Sequence, residues 1–166
     1  MRVLVVYYSC SGMTKRACEA IAASLAAAGH EAVTEELIDR TERGGMLGFV
    51  RGGRDAMRRR STEIEPVQAD PTAFDLVVIG TPVWAATCTP AVRVFCEQFA
   101  GKLPRVAFVA TMGGRGEAGA YAAMRECCGA APVATLTLID KAIKSGDAKQ
   151  LGAKVDCFVR ELLKGK

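Results

Sequence analysis

The chain has 166 residues, half hydrophobic and 24% charged, a globular composition that can bury one sizeable core and excludes a fibrous or disordered chain. No apolar run reaches the ~18 residues of a membrane span, and the opening MRVLVVYY lacks a small-residue cleavage site, so it reads as a strand and not a signal peptide. The net charge of +4 is local: residues 40–60 hold seven arginines against Glu42 and Asp55, +5 in all, leaving −1 elsewhere. Aromatic residues are scarce, so the chain lacks the basic, aromatic-studded stripe of a nucleic-acid binder.

Strand and helix patterns alternate along the chain. VLVVYY (3–8) is a continuous apolar run, as in a strand buried on both faces. Residues 14–29 place Ala17, Cys18, Ile21, Ala22, Leu25 and Ala28 on one helical stripe, with Gly29 as the stop. EAVTEEL (31–37) is a weaker strand. A glycine-rich stretch follows at 44–53, with a short helix expected through 49–60.

FDLVVIG (74–80) is a second buried strand. Residues 89–101 form a helix that Thr89 can cap, with Pro90 in its first turn and Gly101 at its end. RVAFVAT (105–111) is a strand and 116–129 a helix. VATLTLI (133–139) alternates, as an edge strand does. Residues 147–164 close the chain as a helix with Leu151, Val155, Phe158, Val159 and Leu162 inward.

This order predicts an α/β fold of one domain: a doubly wound five-stranded parallel sheet, order 2-1-3-4-5, with helices on both faces. The basic segment at about 40–70 is its variable crossover. Ligands of such sheets bind beyond the carboxyl ends of the strands, at the topological switch point.

Three loops should meet there. SCSGMT (9–14) offers the hydroxyls of Ser9, Ser11 and Thr14, backbone amides that Gly12 lets approach closely, and a helix N-terminus, all suited to a phosphate held by neutral donors. Lys15 and Arg16 add a favourable field if they lean inward. TPVWAATCT (81–89) carries the single tryptophan, Trp84, which either stacks on a flat ligand or plugs the sheet's end or a dimer contact. TMGGRGEAG (111–119) has glycines at 113, 114 and 116 that leave amides open to the edge of a polar heterocycle. A phosphate, a polar linker and a planar ring match flavin mononucleotide, FMN.

Three segments carry a family resemblance: VVYYSCSGMTKRACEAIA, FDLVVIGTPVWAATCTPAVRVFCEQF and FVATMGGRGEAGAYAAM. They resemble the flavodoxin-like family, its flavodoxins and flavin reductases in particular. The resemblance implies non-covalent FMN. Ser9, Ser11, Gly12, Met13 and Thr14 match the phosphate motif, with Cys10 inside it as a departure. Thr81, Pro82, Val83 and Trp84 match the ribityl and ring loop, and Thr111, Met112, Gly113 and Gly114 the second ring loop. Family members are often homodimers.

Two other readings stay open. Cys10 and Arg16 have the C-x5-R spacing of a phosphatase nucleophile and its phosphate-forking arginine, with Asp70 resembling a general acid. Against this, Cys10 lies two residues past the expected strand end, Ala17 replaces the usual hydroxyl residue, and Asp70 precedes its strand. The third reading is a flavodoxin-like binding module without flavin.

Within the flavin reading, positive net charge and the lack of glycine in 81–88 lean towards a two-electron reductase over a low-potential carrier. Its redox partner is a small molecule or a protein. Arg51, Arg54, Arg58 and Arg59 either bind the phosphates of NAD(P)H or an acidic partner, or form a solvated helix face. Seven irregularly placed cysteines fit a reducing, cytoplasmic setting, with Cys18, Cys96 and Cys157 as half-buried apolar residues and the vicinal Cys127 and Cys128 either redox-active or incidental packing. One histidine, His30, and no C-x2-C pair argue against zinc.

Overall fold

A computed structural model describes residues 1–40, 62–144 and 148–164. The elements are β1 (Arg2–Tyr7), α1 (Met13–Ala27), β2 (Glu31–Glu36), a 3-10 turn (Pro71–Ala73), β3 (Leu76–Pro82), α2 (Pro90–Gln98), β4 (Arg105–Met112), α3 (Glu117–Cys128), β5 (Thr135–Ile139), α4 (Asp140–Lys144) and α5 (Ala148–Lys164). The sheet is parallel throughout, in the order β2-β1-β3-β4-β5. The expected helix at 49–60 and the arginine site at 51–59 lie outside the described residues.

The period-two alternation of strand side chains divides the interior into two layers. Val3, Val5, Tyr7, Leu76, Val78, Ala107, Val109, Leu136 and Leu138 face α1 and α5. Leu4, Val6, Val77, Ile79, Val106 and Phe108 face α2 and α3. Both faces of β1, β3 and β4 are thus covered, which is why these strands read as unbroken apolar runs. In β5 only Leu136 and Leu138 are buried, the alternation of an edge strand.

Helix ends follow from local chemistry. Gly29, at φ 80°, ends α1: its amide donates to Ala26 O and that of His30 to Leu25 O, both at 3.0–3.1 Å. Thr89 precedes α2, but its side chain does not cap it. Its amide instead donates to Thr81 Oγ1 at 3.1 Å. Gly80 lies beneath α1, where a Cβ would come within 2.6 Å of Cys18 Sγ. Its bare backbone lets the helix settle onto β1 and β3.

Cys18, Cys96 and Cys128 are fully buried and Cys157 is exposed, correcting the expectation for Cys157. No described helix is long and apolar enough to cross a membrane.

A cleft at the carboxyl ends of four strands

The loop from β1 to α1 rises over the sheet with Gly12 in the left-handed region, φ 80°, at the N-terminus of α1. That position provides no side-chain cap, so the amides of Met13 and Thr14 are left to whatever occupies the rim. Ser9 Oγ accepts from the Lys15 amide at 3.2 Å and keeps its own hydrogen available. Cys10 and Ser11 are exposed. Thr14 is buried beneath the loop, its hydroxyl 2.7 Å from that of Thr111 on β4. Lys15 pairs with Glu36 at 2.9 Å, and Arg16 is exposed.

β3 continues through Thr81 and Pro82, beside Ala110 and Thr111 of β4, and the Val83 amide donates to Thr111 O at 2.9 Å. Trp84 and Thr87 then exchange backbone hydrogen bonds at 3.0 Å around Ala85 and Ala86. Both alanines have positive φ, 49° and 58°, an arrangement usually left to glycine and asparagine. The lack of glycine in 81–88 leans towards a reductase because a flipped peptide here would force a non-glycine residue to positive φ. Two alanines adopt it, so that absence does not separate reductase from carrier. The turn is seated on α3, where a Cβ at Gly119 would collide with the Ala86 carbonyl.

Trp84 is only 3% exposed and meets Tyr8 edge-on, ring centroids 5.7 Å apart. Of the two readings of this residue, such burial fits the plug at the sheet's end. Its ring supports the cleft wall and offers little free face to a ligand.

Cys10, Ser11, Pro82, Val83, Trp84, Thr111, Met112, Gly113 and Asp140 line one cleft of about 210 Å³. Sites that enclose a drug-sized ligand run to ~300–1,000 Å³, so a ligand here is partly exposed. A Cβ on Gly12, Gly113 or Gly114 would meet nothing within 4 Å, leaving the backbone of both loops open. Gly116 differs: at φ 114° it begins α3 and packs against Val83 and Ala86. A wider depression of about 600 Å³ lies at the far end of α3, around Arg125 and Gly129, away from these loops.

Asp140 was not foreseen. It follows Ile139, which pairs with Met112, and so brings a carboxylate from β5 to the rim. The single-turn α4 that it begins is too short to show periodicity, but the strand-end rule applies to β5 as to the others.

The donors fit a phosphorylated ligand: a helix end whose Lys15 amide alone is taken, by Ser9, two available hydroxyls at Ser9 and Ser11, and glycine backbone beside the apolar wall of Pro82, Val83 and Met112. They do not assemble a phosphatase. Asp70 caps the 3-10 turn, accepting from the Thr72 amide and hydroxyl at 2.9 and 2.8 Å, before β3 begins and so at the opposite end of the sheet.

A family model described as flavodoxin matches residues 2–154. The chain belongs to the flavodoxin family. Among solved structures, this flavodoxin-family chain is similar to a flavoprotein of Lactobacillus acidophilus NCFM in complex with FMN, at TM-score 0.72 and 20% identity over 87% of this chain and 96% of that one. It is also similar to oxidised flavodoxin 2 from Bacillus cereus, at TM-score 0.62 and 20% identity over the full length of both chains. At these identities the likeness is one of fold. A comparison with curated proteins found no match.

Proposed function

We propose that this protein holds FMN non-covalently in the cleft and acts as an FMN-dependent oxidoreductase, as an NAD(P)H-linked two-electron reductase or a flavodoxin-type electron carrier. The observation carrying this reading is the convergence of four strand ends on one cleft, in a chain of the flavodoxin family. The similar Lactobacillus protein is described as an FMN complex, in keeping with it.

Bound FMN supplies reversible one- or two-electron chemistry, and the protein supplies binding and electrostatics. Ser9, Ser11 and the amides of Gly12 and Met13 hold the phosphate. Thr14 and Thr111 fasten the phosphate loop to β4 from below. Pro82, Val83, Met112, Gly113 and Gly114 form the ring side, with Thr81 and Trp84 behind them. Asp140 puts a negative charge in the same cleft and disfavours added negative charge there.

The purified protein, or its apo form given FMN, should be yellow, with the two visible bands of oxidised flavin. NAD(P)H consumption with a quinone or dye identifies the reductase. Bleaching by a reduced protein partner without NAD(P)H turnover identifies the carrier. A colourless protein that does not take up FMN refutes the proposal.

A further inference from the structure

We infer that Arg93 is a positioning residue for the ring-side wall of the cleft: it grips the Trp84–Thr87 turn through Thr87 and sets a fixed positive charge behind it. The inference rests on the FMN reading above.

Arg93 is 5% exposed, on α2. Its Nη2 donates to Thr87 Oγ1 at 3.3 Å and its Nη1 to Cys127 Sγ at 3.5 Å, while Nε is buried without a partner. No ion pair among the described residues includes it. The Glu97 carboxylate accepts from Cys127 Sγ at 3.9 Å. A buried guanidinium with an unsatisfied N–H is costly, and an unbranched apolar side chain would fill the space without that cost. Packing alone does not account for an arginine here.

The turn it holds does. Two consecutive alanines at positive φ persist only where their surroundings over-determine them. The backbone exchange between Trp84 and Thr87 is one constraint and the seat of Ala86 on Gly119 another. Arg93 adds the side-chain hydrogen bond, at Thr87. The turn carries Trp84, which lines the cleft, so the grip is passed to the ring side. The Arg93 charge, behind the turn, favours a ligand that gains negative charge on reduction.

The test is titration of the apo forms of wild type, Arg93→Lys and Arg93→Met with FMN and with riboflavin, and the midpoint potential of each FMN-loaded protein. Arg93→Met should weaken both flavins by the same factor, about tenfold, because the phosphate loop is untouched. It should bind reduced flavin about tenfold less well than oxidised, relative to wild type, a fall of about 30 mV for a two-electron couple. Arg93→Lys should restore the potential. If Arg93→Met does not fold, Thr87→Val removes the gripped hydroxyl and should lower both affinities alike. Wild-type binding with unmoved affinities and potentials in the variants overturns the role of Arg93 alone. No flavin binding by wild type overturns the FMN reading and this inference with it.

Discussion

The hydroxyls of Thr14 and Thr111 meet at 2.7 Å, although 97 residues separate them. Both side chains are buried, so the pair joins the first turn of α1 to the end of β4 and closes the floor between the phosphate-side and ring-side loops. One hydroxyl donates and the other accepts, and removing either strands its partner.

Thr14→Val should therefore cost about 1–3 kcal/mol, and Thr111→Val a similar amount. The double variant should cost clearly less than the sum, because neither hydroxyl is then left unpaired. Urea unfolding of the four proteins measures this. Strict additivity would show that the contact carries no energy.

Gly119→Ala places a methyl group against the Ala86 carbonyl. Overpacking of this kind costs about 1–3 kcal/mol, and here it also pushes the Trp84–Thr87 turn. The expected result is a lower unfolding midpoint together with weaker FMN binding. Gly113→Ala, in open space, should change stability by less than about 0.5 kcal/mol.

Stability should fall in alkali. Burial pushes the Cys88 thiol up to about 11 and the Tyr7 phenol up to about 12, the latter also through the Glu36 carboxylate, and it pushes Cys18 higher still. In the unfolded chain these groups titrate at about 8.5 and 10. Between pH ~9 and ~12 the unfolded state thus binds fewer protons than the native one, and unfolding free energy declines as pH rises. The urea midpoint should drop steadily above pH 9, and less steeply in Cys18→Ala. A midpoint constant to pH 11 would contradict the assignment.

Asp140→Asn removes the carboxylate that shares the cleft with Ser11. FMN affinity should rise a few-fold, because the phosphate no longer meets that charge, and riboflavin affinity should rise less. An unchanged ratio of the two affinities would place Asp140 away from the phosphate.

The sheet was legible because β1, β3 and β4 are buried on both faces and leave continuous apolar runs, whereas β5 alternates. The strand-end rule then picked out loops that do line one cleft. Trp84 was not legible, since an indole at a strand's end looks the same whether it covers a ligand or plugs a sheet. Tyr8, read simply as a strand residue, meets it edge-on and helps to bury it. Gly80 and Gly119 escaped because close approach leaves no local pattern, and Arg93 because charged residues are rarely buried unpaired.

Cys10 gives the most direct measure of where the flavin sits, because its exposed thiol lines the cleft and Cys157 is an exposed thiol on α5, remote in sequence and outside it. Alkylation of both can be followed by peptide mass mapping with and without saturating FMN. The account predicts that FMN slows Cys10 by about tenfold or more and leaves Cys157 unchanged. FMN that binds while Cys10 reacts at its unprotected rate would contradict it.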